Sequence, residues 1–172
     1  DLAGAREAET HTRPGLNEAW TWLLQHLLSP EKISHCQLVA AGAFRLATAL
    51  NRAGFKVDPD LALLGGLLHD VAHGLKEHDR QGRLMAEGMG WPEIGEIMGA
   101  HTEPPPEMLQ IVFEGDPGWP SVDRTNDYLA GLYRACLSVY LADKLSLGDG
   151  PASLETRFEA TRRRHCSMTG RL

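Results

Sequence analysis

The chain has 172 residues, a formal net charge of −6 and 42% hydrophobic residues. This length and composition are typical of one globular domain with a substantial core. The acidic balance argues against binding to a nucleic acid polymer or to an anionic membrane surface, because both require basic surface. A small phosphorylated substrate needs only a local positive site and stays compatible with this charge.

The cysteine content and the chain's polar start predict a cytoplasmic protein. Three cysteines with no close pairing favour a reducing compartment over a disulfide framework. The opening segment DLAGAREAETHTRPG is polar and unlike a signal peptide, and no run approaches the ~20 apolar residues of a membrane span. We expect residues 1–14 to form a flexible tail and residues 15–172 to form one helical domain.

Apolar residues recur with helical spacing, and no segment shows a convincing strand alternation. In chain order, the predicted helices cover residues 16–28, 31–54, 59–74, 77–90, 92–103, 125–148 and 152–166. The helix at 59–74 is apolar on all sides in its middle, which predicts a central buried position. Residues 104–123 are rich in proline and glycine and predict a long loop, either a pocket wall or a surface insertion. The predicted fold class is therefore all-α, a single-domain bundle of about seven helices.

Three of these helices carry a chemically capable side chain on an apolar face. His35 and Asp143 each lie on an apolar stripe, and His69 with Asp70 follows the most apolar run of the chain. A lone histidine in such a position is commonly a hydrogen-bonded core residue. An unpaired buried carboxylate costs several kcal/mol, so each aspartate requires a cationic partner or a metal. Two histidines and two aspartates form a donor set that suits zinc, iron, manganese or magnesium.

The ordered set H…HD…D resembles the HD-domain superfamily of metal-dependent phosphohydrolases. The surrounding segments SHCQLVA, LLHDVAHG and YLADKLSLG are similar as well, and the resemblance covers about residues 30–148. It implies an HD-type helical bundle with a metal site in its middle. By position, it implies that the ligands of a first metal are His35, His69, Asp70 and Asp143.

Two further histidines resemble the additional ligands of binuclear members of this superfamily. His78, in HDRQGRLM, resembles the third histidine, and His101, in IMGAHTE, resembles the fourth. This match implies a second metal, with Asp70 able to bridge the two ions. The alternative is that His78 and His101 are exposed histidines at helix ends.

Candidate catalytic residues are Asp70, His73 and Lys76. His73 stands where many relatives carry a lysine near the substrate phosphate. The alternatives are a polar residue at a helix end or a metal ligand in a different arrangement. Lys76, Arg83 and Lys144 are candidates for phosphate contacts, and each is otherwise a solvated charge.

The resemblance implies hydrolysis of a small phosphorylated substrate, with a nucleotide favoured, by water activated on one or two divalent metal ions (Fe, Mn, Zn or Mg). Two alternatives have the same fold: a non-catalytic regulatory module that binds metal and nucleotide, and a di-iron oxygenase. A helical interaction domain with structural histidines is the third. The segments YLADKL and ASLETRFEA also resemble HD domains associated with nucleotidyltransferase-like proteins of molybdenum cofactor metabolism, which implies a partner domain of that kind.

Overall fold

The computed structural model describes residues 13–26, 29–108, 127–147, 150–151, 153 and 156. Six helices have complete bounds: α1 (Leu16–His26), α2 (Pro30–Arg52), α3 (Pro59–Leu68), α4 (His78–Gly88), α5 (Pro92–Ala100) and α6 (Asp127–Lys144). Residues 106–108 are also helical. The predicted all-α class is confirmed. Most of the predicted tail at 1–14, of the predicted loop at 104–123 and of the predicted helix at 152–166 lies outside the described residues.

Two details of the prediction are wrong. The helix predicted over 59–74 ends at Leu68, and residues 69–77 form a series of turns. A short antiparallel pair, β1 (Ser146–Leu147) and β2 (Gly150–Pro151), also follows α6. Strands of two residues carry no alternation that a sequence pattern could reveal.

Proline and an oxygen-bearing cap begin the two helices at the centre of the bundle. Ser29 accepts a hydrogen bond from the backbone N–H of Lys32, and Pro30 follows as the first residue of α2. Asp58 accepts from the N–H groups of Asp60 and Leu61, and α3 begins at Pro59. These are favoured starts, since the cap oxygen satisfies N–H groups that have no partner inside the helix.

Helix α3 is the buried centre of the bundle, as its composition predicts. Seven of its ten residues are buried, namely Leu61, Ala62, Leu64, Gly65, Gly66, Leu67 and Leu68. The absence of a side chain at Gly66 allows α2 to pass very close, because a Cβ there would lie 2.7 Å from the Cα of Ala40. This approach brings the first turns of α2 beside the end of α3, where the polar residues lie.

Among the described helices, none is long and apolar enough to cross a membrane.

Candidate metal centre

All six predicted metal ligands lie in one region of the bundle, and most of them are at helix ends. His69 is the C-cap of α3, His101 is the C-cap of α5, and His78 is the first residue of α4. Asp143 lies one residue before the end of α6. The donor atoms form two groups, each within 4.8 Å: a first triad of His35, His69 and Asp143, and a second triad of Asp70, His78 and His101.

In the first triad, one oxygen of Asp143 faces two imidazoles. Asp143 Oδ1 lies 3.2 Å from His35 Nε2 and 3.8 Å from His69 Nε2. The two rings are 5.3 Å apart between centroids. The first triad therefore combines side chains from α2, from the end of α3 and from α6.

The second triad has the same form. Asp70 Oδ1 lies 3.8 Å from Nε2 of both His78 and His101, and the two ring centroids are 5.2 Å apart. The two triads adjoin each other, because the rings of His69 and His101 are only 5.1 Å apart. The arrangement is thus a pair of neighbouring sites with donors of the same chemical type.

Two of the histidines are fixed by the backbone of their own helices. The carbonyl oxygen of Gly66 lies 2.8 Å from His69 Nδ1, and that of Met98 lies 2.6 Å from His101 Nδ1. A carbonyl can only accept, so each Nδ1 carries the proton and donates it. Nε2 of each ring is left with a free lone pair directed towards the carboxylates. This is the orientation that metal-ligating histidines adopt in proteins.

Burial and neighbouring charges hold the donors in the protonation states that metal ligands require. Burial, and then the proximity of His101, lowers the pKa of His69 to about 4. Burial also lowers the pKa of His101. Both rings are therefore neutral at pH 7, as ligation demands.

The two carboxylates are ionised. Burial by itself raises the pKa of Asp70, but His69, which becomes charged below its own pKa of about 4, and the hydrogen bond from Lys32 outweigh burial and lower the pKa of Asp70 to about 2. Burial also raises the pKa of Asp143, but the hydrogen bond with His35 and the charge that His69 acquires in acid hold the pKa of Asp143 well below its ordinary range. Each aspartate is thus available as a negatively charged oxygen donor at neutral pH.

A lysine binds the second oxygen of each carboxylate. Lys32 Nζ lies 2.7 Å from Asp70 Oδ2, and Lys144 Nζ lies 2.9 Å from Asp143 Oδ2. The side chain of each lysine is 31% exposed, so both ammonium groups lie at the boundary between the site and solvent. The sequence interpretation missed Lys32. A signal was present, because Lys32 precedes His35 by three residues and so shares its helical face.

The structure distinguishes between the other predicted contacts. His73 is half-exposed at the edge of the second triad, with Nδ1 3.5 Å from Asp70 Oδ1. Lys76 is exposed in the turn before α4, with no hydrogen bond or ion pair to any described residue. Arg83 is not free for a phosphate, since it pairs with Glu87 at 2.8 Å and Glu96 at 2.6 Å.

The donor set fits a divalent transition metal. An ion with bonds of about 2.1 Å places neighbouring ligand atoms roughly 3.0–3.4 Å apart in octahedral or tetrahedral geometry. The separations of 3.2–3.8 Å between carboxylate and imidazole atoms are close to these values. A thiolate ligand is not available from Cys36, because burial and the charge on Asp70 raise its pKa to about 12.

Comparison with known families identifies the fold. The profile of the HD domain matches residues 33–148, which is more than half of the chain and includes all six residues of the two triads. No solved structure matches the chain significantly.

A partial relative also exists among curated proteins. The chain is 37% identical over 75 residues to the uncharacterized protein MJ0778 of Methanocaldococcus jannaschii. The match covers 41% of this chain and 44% of that protein, so it spans less than half of the relative's length. Neither comparison distinguishes the subgroup associated with nucleotidyltransferase-like proteins, which stays a prediction.

Proposed function

Because the chain belongs to the HD domain family, whose members are typically metal-dependent phosphohydrolases, we propose that it hydrolyses a small phosphorylated substrate, preferentially a nucleotide. The observation that carries this proposal is the pair of adjoining triads with a lysine beside each carboxylate. Such a centre combines anionic and imidazole ligands with cationic groups at its border. This is the combination that phosphoryl transfer to water requires.

We assign one divalent ion to each triad. Imidazole-rich donor sets favour iron, manganese or zinc over magnesium, which prefers oxygen ligands and retained water. Ions bound there would lower the pKa of a coordinated water and offset charge on the phosphoryl oxygens. Asp70 would hold the ion of the second triad, and the resemblance to binuclear members of the family implies that it would serve the first ion as well.

The protein's own groups would orient the substrate. Lys32 and Lys144 hold one carboxylate oxygen each and are partly exposed, so their remaining N–H groups can donate to phosphoryl oxygens. His73 is proposed to donate from the edge of the second triad. The role of Lys76 in phosphate binding stays a prediction, since Lys76 has no contact with the triads. The acidic net charge supports a small nucleotide over a polymer.

Metal content per chain tests the proposal first. The protein is purified without chelators or an affinity nickel column, and bound metals are measured by elemental analysis. We expect two equivalents of iron, manganese or zinc. One equivalent would restrict the site to a single ion, and no metal after incubation with a panel of divalent ions would refute the hydrolase and favour a helical interaction domain.

An activity assay separates the remaining alternatives. We expect release of inorganic phosphate from at least one member of a nucleotide panel, with activity lost in Asp70→Asn and kept in Asp60→Asn, a control on the exposed start of α3. Metal and nucleotide binding without turnover would indicate the regulatory module. Oxygen consumption with an iron-dependent spectrum would indicate the oxygenase. The partner domain and the cytoplasmic location stay predictions.

A further inference from the structure

A hydrogen bond joins the two residues that directly follow the histidines of the second triad. Asp79 follows His78 at the start of α4, and Thr102 follows His101 at the end of α5. The hydroxyl of Thr102 donates to Asp79 Oδ2 over 3.0 Å. One side-chain bond thus connects the two chain segments that carry the ligands, one residue away from each.

The two histidines differ in how firmly their own helices hold them. His101 is 2% exposed, and its ring donates to the carbonyl of Met98. The side chain of His78 is 31% exposed and belongs to the first residue of α4. The residue before it, Glu77, has the left-handed backbone angles φ 54° and ψ 49°, and its side chain makes no capping hydrogen bond. Within the first turn, Asp79 Oδ1 accepts a hydrogen bond from the N–H of Arg80 over 2.9 Å. A helix start with these properties needs support from a neighbouring element to hold a side chain at a fixed distance from another.

We propose that Thr102 and Asp79 are positioning residues that set the separation between His78 and His101, and thereby control ion binding at the second triad alone. The proposal rests on the proposed function and deepens it by assigning separate control of one of the two ions. Thr102 and Asp79 are the chain neighbours of His101 and His78, which are two of the three members of the second triad. The first triad draws on α2, the end of α3 and α6, none of which carries either residue.

Isothermal titration of the full ion-free chain with manganese and with zinc tests this assignment. Thr102→Val keeps the shape of the side chain but removes the donor. We expect affinity for one of the two ions to fall about 10-fold or more, the usual effect of losing a group that orients a metal ligand. Affinity for the other ion stays at the wild-type value. Thr102→Ser restores the hydroxyl and is expected to restore both affinities.

Two further variants secure the interpretation. Thr21→Val is the matched control, because Thr21 makes its hydroxyl bond to Asn17 on the exposed face of α1. Asp79→Ala removes the same bond from the other side, together with the bond that Asp79 accepts from the N–H of Arg80, and is expected to reproduce the selective loss. If the bond between Thr102 and Asp79 is the cause, the double variant Asp79→Ala with Thr102→Val binds the ion of the second triad no more weakly than Asp79→Ala alone.

The possible contrary results have different meanings. Wild-type affinities for both ions in Thr102→Val and Asp79→Ala would overturn the proposal and leave the proposed function intact. An equal loss of both ions would also overturn it, since that pattern indicates a general disturbance of the fold. A wild-type chain that binds one ion only would refute the two-ion centre and this inference together.

Discussion

The close packing of α2 on α3 predicts that Gly66→Ala destabilises the protein. A Cβ at residue 66 would lie 2.7 Å from Ala40 Cα, 2.9 Å from Ala40 N and 3.1 Å from Val39 C. All three atoms belong to the backbone of α2, so no side-chain rotation can relieve the contact. Ordinary carbon contacts are about 3.5–4.0 Å, and the two helices would therefore have to move apart by nearly 1 Å.

The expected net cost follows from two opposing terms. Overpacking of this kind costs about 1–3 kcal/mol. Alanine is a better helix former than glycine by up to about 1 kcal/mol. The contact with three backbone atoms places this substitution in the upper part of the overpacking range, at about 2–3 kcal/mol. The net loss is therefore about 1–2 kcal/mol, which lowers the melting temperature of a domain of this size by roughly 2–8 °C.

Circular dichroism during heating measures this change, with Gly88→Ala as the matched control. Gly88 is exposed at the end of α4, and a Cβ there meets nothing within 4 Å. The control is expected to be neutral or stabilised by up to about 1 kcal/mol. Equal melting temperatures for the two alanine variants would refute the close approach of the helices.

The same substitution should also weaken ion binding at the first triad. His69 donates to the carbonyl of Gly66, so displacement of residue 66 moves this ring relative to His35 on α2. Titration calorimetry with manganese is expected to show reduced affinity for one ion in Gly66→Ala. In Gly88→Ala, both ions are expected to bind with wild-type affinity. Unchanged affinity in a destabilised Gly66→Ala variant would show that the triad adapts to a shift of α3.

Three further predictions concern stability. Glu77→Gly should raise the melting temperature, because left-handed backbone costs a non-glycine residue about 1–2 kcal/mol and glycine's greater chain entropy offsets roughly half of it. Asp58→Asn should destabilise the protein at pH 7. Burial raises the pKa of Asp58, but the hydrogen bonds from Arg13 and from the N–H of Leu61 outweigh burial and lower it. The ionised carboxylate therefore stabilises the wild type above the ordinary pKa of 3.8, and this stabilisation is lost as the pH falls through the folded-state pKa. Urea unfolding of the wild type and of Asp58→Asn across pH 2–7 measures this, and the difference between their unfolding free energies is expected to shrink as the pH falls. Manganese at about 100 times its dissociation constant should stabilise the wild type by about 2.7 kcal/mol in thermal unfolding.

The candidate ligands could be identified from the sequence because they are marked by local spacing and by the cost of burying charge. Asp143 lies on an apolar stripe of a long helix, and an aspartate there demands a partner wherever the helix packs. The structure supplies both a lysine and two histidines for it. The assignment of His78 and His101 to a common group required the resemblance, since their segments show no stripe that points to a shared partner.

The features that sequence reasoning missed depend on tertiary contacts. Lys32 has no local feature that selects Asp70 as its partner, 38 residues away. The end of α3 at Leu68 was also missed, because the apolar pattern continues through Val71 and Ala72, which are both buried. After Leu68 the chain is held by turn hydrogen bonds, such as that from the N–H of His73 to the carbonyl of Asp70. Periodicity does not distinguish such turns from a further helical turn.

The early end of α3 orients one of the candidate ligands, and the end of α5 does the same for another. His69 and His101 both follow the last residue of a helix, and each donates its Nδ1 proton to the carbonyl three residues earlier. A carbonyl in the interior of a longer helix would already accept from a backbone N–H. Each ring thus replaces the next turn of helix as the partner of that carbonyl. The same bond fixes the proton on Nδ1 and directs the lone pair of Nε2 towards the carboxylates, so the residue that ends the helix is also prepared as a ligand.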